Sequence, residues 1–295
     1  MTERRGQEQA AMHRSGATAH ASNGSRASEP DAHSANGARA VDVTLANNAR
    51  STGQERFPVL EIFGPTVQGE GRVIGRKTLF VRTAGCDYAC AWCDSAFTWD
   101  GSAKDEIERL DAAQIVERLA ELGGEAFAHV TLSGGNPALL PGLGELIDVL
   151  HARGAEVALE TQGSRWQDWF VRIDQLTLSP KPPSSGMETD WARLDDILSR
   201  LEGGGGGGEW SLKVVVFDEI DLDYAIRVHE RYPDVSFYVQ PGNADLTEPE
   251  PARMLSTLAV QYEALVQRIM DEPRLQRVSV LPQLHTWLWG NKRGV

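Results

Sequence analysis

All three cysteines of this 295-residue chain lie within eight residues, in GCDYACAWCDS (85–95), at the spacing CxxxCxxC. Thiolates are soft ligands that suit zinc or an iron–sulfur cluster. A structural zinc site takes four ligands, so zinc bound here needs a fourth from elsewhere, such as His129. A [4Fe–4S] cluster on Cys86, Cys90 and Cys93 would instead leave one iron open to a substrate or cofactor. Inert cysteines are the third reading. Three thiols cannot build a disulfide framework without leaving one over, and they point to a reducing cytoplasm.

The elements that must position this loop alternate in type. Strand-like runs fall at TLFVRT (78–83), HVTLSGG (129–135), EVALETQG (156–163), QLTLSPK (175–181), SLKVVVF (211–217) and SFYVQPG (236–242). Helix-like segments lie at 106–122, 143–153, 220–231 and 249–270. Strands alternating with helices predict βαβ units and a parallel sheet. About six strands are too few for a closed eight-stranded barrel, so the expected fold is α/β, an incomplete open (β/α) barrel. Each strand-like run ends in unusual residues: RTAGC, SGGNP, ETQG, SPK, QPGN. Ligands bind at the carboxyl ends of parallel strands. Turn chemistry accounts for the Gly, Pro and Asn, but not for Arg82, Glu160, Lys181 and Gln240 at equivalent places. One shared site at that rim is expected.

Composition limits the partners. The formal net charge is −13, with no Lys/Arg stripe to bind nucleic acid. No run approaches 18 apolar residues, so no span of a membrane is expected, and no secretory signal opens the chain. Residues 1–52 are rich in Ala, Ser, Gly and Arg with few large apolar residues. They cannot bury enough surface to offset the entropy of ordering and read as a disordered, dispensable tail. Its six Arg and five Asp/Glu sum to +1, leaving −14 on residues 53–295. His13, His20 and His33 are too scattered there for a metal site. GGGGGG (203–208) reads as a flexible surface loop.

A three-cysteine loop after a strand on a βα scaffold, with Trp92 just before the third cysteine, resembles the radical S-adenosylmethionine (SAM) superfamily. SGGNP (133–137) looks like that superfamily's GGEP motif, with Asn136 where Glu is usual and its side-chain carbonyl still able to accept a hydrogen bond. Within the superfamily, EIFGPTVQGEG (61–71) before the first strand, FVRTAGC, SGGNP, ETQG, LSPK, LKVVV, YVQPGN and QLHTWLWG most resemble the 7-carboxy-7-deazaguanine synthase family of queuosine and deazapurine biosynthesis. The likeness covers roughly residues 58–290.

The resemblance implies a lyase that contracts 6-carboxy-5,6,7,8-tetrahydropterin to 7-carboxy-7-deazaguanine with loss of ammonia, using SAM and Mg²⁺. The cluster and SAM would carry the radical chemistry, and the protein would supply placement and water exclusion. No protein acid or base is needed for the first step. Cys86, Cys90 and Cys93 would hold the cluster. Trp92, Gly135, Ser179, Pro180, Lys181 and Gln240, Pro241, Gly242 and Asn243 would contact SAM. Arg82 would grip the substrate carboxylate with two parallel bonds. Val67, Gln68, Gly69, Ser133, Glu160 and His285 would complete the substrate site. Ser95 stands where the family commonly has Thr, and its hydroxyl would bind Mg²⁺. The family also implies an electron donor such as a flavodoxin or ferredoxin, and a homodimer.

Rival readings make different demands. A glycyl-radical-activating enzyme shares VTLSGGNP but needs a protein partner, not VQGEG with Arg82. A tRNA-modifying radical enzyme needs a basic groove. A zinc-stabilised binding module would be colourless.

Overall fold

The computed structural model describes residues 55–204 and 207–295. The tail expected at 1–52 lies outside them, as do Gly205 and Gly206 in the glycine run. Nine strands form one sheet: β1 (Phe57–Val67), β2 (Lys77–Thr83), β3 (Glu108–Leu110), β4 (His129–Gly134), β5 (Glu156–Thr161), β6 (Gln175–Leu178), β7 (Glu209–Val216), β8 (Ser236–Pro241) and β9 (Val278–Val280). Their order is β3-β1-β2-β4-β5-β6-β7-β8-β9. From β2 to β9 every pairing is parallel, while β1 runs antiparallel to both β2 and β3. The sheet is open, as expected.

All six anticipated strands are present, and three more join them. Gly64-Pro65 masks β1 as a strand in the sequence, and its register with β2 shifts between Phe63 and Thr66. EIFGPTVQGEG therefore does not precede the first strand; up to Val67 it is the first strand. The helices are α1 (Ala112–Gly123), α2 (Leu143–Ala152), α3 (Trp191–Gly203), α4 (Glu219–Arg231), α5 (Pro251–Asp271) and α6 (Leu284–Trp289). Helix α1 starts later than residue 106 because Asp111 caps it, accepting from the Gln114 backbone while Gln114 answers with its side chain. Asp190 and Asp218 cap α3 and α4 in the same way through their carboxylates. Helices α3 and α6 were not foreseen in the strand–helix pattern.

Leu119, Leu132, Leu146, Ile147, Leu150, Leu159, Ile197 and Leu212 are among the buried side chains packing helices onto strands. The alternate strand positions face the other side of the sheet. There Arg82 of β2 lies in register with Ser133 of β4 on one side and Glu61 of β1 on the other. Period-two alternation thus gives one face to the core and the other to a polar row. No helix among the described residues is long and apolar enough to cross a membrane.

Candidate active site

The cysteine loop leaves β2 and turns across the carboxyl ends of the strands. Gly135 fits beneath it because a Cβ there would strike the Gly85 carbonyl and the Cys86 side chain. Gly85 donates its N–H to the Thr98 carbonyl (2.8 Å), pinning the start of the loop to its end. Cys86, Cys90 and Cys93 are free, partly buried thiols that line one cavity of about 220 Å³. Burial pushes all three up, Cys86 to about 11, so a metal must displace their protons on binding.

The donor set separates the metal readings. A closed structural zinc site takes four protein ligands, and this loop offers three thiols. His129, the possible fourth zinc ligand, opens β4 at the far end of the strand. It is buried there, 2.8 Å from Thr78 Oγ1. Three thiols on one cavity wall, with His129 engaged elsewhere, fit a cluster that leaves one iron open rather than a closed zinc site.

Beside the cysteines the same cavity is lined by Val67, Gln68, Gly69, Arg82, Trp92, Ser95, Ser133, Gly135, Glu160, Lys181 and His285. A second cavity of about 220 Å³ shares Arg82, Trp92, Ser95, Glu160, Lys181 and His285 with it, and adds Gly242 and Asn243. Sixteen of the twenty expected positions therefore converge on two joined lobes. Ser179, Pro180, Gln240 and Pro241 do not line either one. Ser179 is buried behind the wall, where its hydroxyl accepts from Lys181 (3.1 Å), and Gln240 is buried with both amide atoms unpartnered. Asn136 accepts as expected. Its carbonyl already accepts from Thr161 Oγ1 (2.7 Å) and the Ala138 N–H (3.1 Å), and its amide donates to Asp87 (2.8 Å). A Glu at this position would face the Asp87 carboxylate, so Asn suits this chain.

The wall of the second lobe holds a group that motif reading passed over. Lys213 of β7 is 1% exposed and is ion-paired with Glu70 and, at 2.5 Å, with Glu160. Gln283 donates to the other Glu70 oxygen (2.8 Å). Burial alone would push the Glu70 carboxyl up, but Lys213 and the nearby His285 hold it well below the usual carboxylate range. Burial would likewise push Lys213 down, and Glu160 and Glu70 together drive it up instead. Glu70 is therefore ionised at neutral pH and acts only as an acceptor. His285 presses on Gly69 so closely that a Cβ there would overlap its ring. The Leu284 N–H bonds the Gly69 carbonyl (2.9 Å), fixing α6 over the loop after β1.

Arg82 approaches Glu61 at 3.3 Å, and its guanidinium lies over the Phe63 and Phe97 rings (5.2 and 5.3 Å). Burial lowers its pKa, opposed by Glu61 and Asp94. Arg293 holds the other Glu61 oxygen and stacks on Phe97 at 4.2 Å. Ser133 Oγ lines the cavity, buried and without a protein partner. Ser95 Oγ donates to Asp94 Oδ1 (2.9 Å) and keeps its lone pairs free to ligate.

The radical SAM superfamily profile matches residues 80–180. A 7-carboxy-7-deazaguanine synthase of Bacillus cereus is 55% identical over 240 residues, 81% of this chain and 99% of its own length. The chain belongs to the 7-carboxy-7-deazaguanine synthase family of radical SAM enzymes. The protein of that name from Bacillus subtilis is 56% identical over 239 residues, covering 81% of this chain and 98% of the relative. The crystal structure of QueE from Escherichia coli superposes with a TM-score of 0.53 at 20% identity, over 76% of this chain and 93% of that one. This last likeness shows the fold: the open, mostly parallel sheet of the radical SAM enzymes. The radical SAM family carries a [4Fe–4S] cluster and SAM, which fits the three-thiol donor set here. The glycyl-radical-activating and zinc-module readings are not favoured.

Proposed function

We propose that this 7-carboxy-7-deazaguanine synthase family member converts 6-carboxy-5,6,7,8-tetrahydropterin to 7-carboxy-7-deazaguanine with loss of ammonia. One observation carries the reading: the cavity that holds the three cysteines also holds a partly buried guanidinium, Arg82, and the carboxylate pair Glu70 and Glu160. A carboxylate-bearing pterin needs that combination. Arg82 would take the substrate carboxylate in two parallel bonds. Glu160 and Glu70 would accept pterin N–H groups, with Lys213 ion-paired to both and holding them in place. Gln68 and Ser133 offer further polar contacts, and Val67 packs the ring, while Gly69 brings backbone close to it. His285 would close the site from α6. When bound, the cluster and SAM would supply the one-electron chemistry that takes and returns a hydrogen atom.

Cys86, Cys90 and Cys93 would ligate the cluster, with Trp92, Gly135, Lys181, Gly242 and Asn243 beside SAM. Trp92 is held by its indole N–H on Ser184 Oγ (2.9 Å). Ser179, Pro180, Gln240 and Pro241 would support that wall from behind. Mg²⁺ would bind at Ser95, next to Asp94; the lining of both lobes by these two residues supports it. An electron donor such as a flavodoxin or ferredoxin, a homodimeric state and a cytoplasmic location complete the proposal.

The test is anaerobic turnover of iron-loaded protein with SAM, reductant and the carboxytetrahydropterin, followed by the deazaguanine chromophore. Product should appear with wild type and vanish, with cluster absorbance, in each Cys→Ala variant. Iron-loaded protein that cleaves SAM yet leaves the pterin unchanged would refute the assignment.

A further inference from the structure

Trp99 is not a residue that motif or family reading singled out. It follows the short 3-10 turn Ala96–Thr98 and lines the cysteine cavity. Its indole N–H points at a thiol: Nε1 lies 3.4 Å from Cys93 Sγ. The turn fixes that direction. Thr98 bonds back to the Ser95 carbonyl through both Oγ1 (2.7 Å) and N–H (2.9 Å), and the Trp99 N–H bonds the Ala96 carbonyl (2.9 Å). Gly85, just before the first cysteine, then takes the Thr98 carbonyl. The turn's own bonds hold the donor in place. Cys86 has its own donors, the Tyr88 N–H at 3.4 Å and Gln162 Nε2 at 3.6 Å. Gln162 is itself fixed by Asp87 (2.6 Å).

We infer that Trp99 sets the reduction potential of the cluster by donating its indole N–H to the Cys93 thiolate. This rests on the reading of the three cysteines as cluster ligands. One electron from the external donor makes the cluster and its thiolates one charge more negative, and no proton or bond need move in that step. Hydrogen bonds strengthen as the acceptor gains charge, so an N–H aimed at sulfur stabilises the reduced state more than the oxidised one. Hydrogen bonds to the sulfurs are among the determinants of such potentials. Trp99 therefore makes the cluster easier to reduce, and Gln162 does the same more weakly at longer range.

The test is redox titration of iron-loaded wild type and Trp99→Phe, read by the reduced-cluster EPR signal. Phe keeps an aromatic ring and removes only the donor. At the potential where wild type is half reduced, the reduced-to-oxidised ratio should fall about three- to tenfold in the variant, a shift of about 28–59 mV to more negative potential at one electron per cluster. Trp99→His, which restores a ring N–H, should recover part of it. An unchanged or raised midpoint in Trp99→Phe with full iron content would overturn the inference. Should that variant fail to load iron, the wild-type Fe–thiolate stretches by resonance Raman in H₂O and D₂O decide. A shift on exchange supports the bond, and superimposable spectra refute it. Wild type that binds no iron would instead strike down the cluster reading itself.

Discussion

Replacing Lys213 with Met would leave two carboxylates facing each other around an empty place. Lys213 is fully enclosed, Glu70 is 13% exposed and Glu160 29% exposed. Breaking a buried ion pair by removing one partner costs about 3–5 kcal/mol. Water reaching Glu160 screens part of that, so the lower figure, about 3 kcal/mol, is expected. In a domain of this size each kcal/mol moves Tm by about 2–4 °C, giving a fall of roughly 6–12 °C by calorimetry at pH 7. The pH dependence has a definite sign. Glu70 in the wild type titrates below its ordinary value of 4.5, so its contribution is present above that pH and fades as the pH falls through the depressed value. Without Lys213, burial dominates and raises Glu70. The gap between wild type and Lys213→Met should therefore be widest near neutrality and narrow on acidification. Neutralising the whole group, Lys213→Met with Glu70→Gln and Glu160→Gln, should recover most of the lost stability, because no unpaired charge remains buried. An unchanged Tm in the single variant, or a triple variant no better than the single, would refute the reasoning.

Other expectations are smaller in scope. Arg82→Lys keeps the charge and loses the two-pronged geometry, worth ~1.5–3 kcal/mol for a charge-assisted bond; substrate affinity should fall roughly 10- to 150-fold while iron content and SAM cleavage persist, as measured by substrate titration. Ser95→Ala should weaken the response of turnover to added Mg²⁺, and Ser95→Thr should keep it; coincident Mg²⁺ titrations of wild type and the Ala form would make Ser95 an ordinary loop serine. Asn136→Glu should lower stability by ~1–3 kcal/mol, since it sets a second carboxylate against Asp87 and removes one of that residue's two amide donors. Asp87→Asn in the same chain should restore much of the loss, and a thermal melt that finds the double variant no better would refute the pairing.

The cysteine loop and the rim of glycines and polar residues were legible because their chemistry is local: the three thiols of one strand-end loop are neighbours in the chain. Six strands were legible for a related reason, each being a compact apolar run. Strand β1 was not, because Gly64-Pro65 interrupts a segment whose pairing with β2 only the fold reveals. Lys213 carried a usable signal. A lysine inside LKVVV, on a parallel strand covered on both faces, has to find carboxylates, and Glu70 in VQGEG was one of them. Their meeting could not be foreseen, because it joins β7 to the loop after β1 across a distance in sequence that no local pattern spans. The burial of Ser179 and Gln240 behind the wall likewise depends on which way a strand end turns, and motif likeness does not carry that.

The bond between Gln283 and Glu70 joins residues 213 positions apart, and it has a consequence in time. The three cysteines, Gly135 and Gln162 have all emerged from the ribosome once Gln162 is made. The side of the cavity closed by Gln283 and His285 waits for α6, more than a hundred residues later. Contacts of such long sequence separation form late, so the cysteine loop should be complete while the side facing Glu70 still lies open. Iron loading and substrate recognition would then be successive events in the life of each molecule. Nascent chains stalled at increasing lengths should acquire iron before they acquire affinity for the substrate, and the reverse order would contradict this.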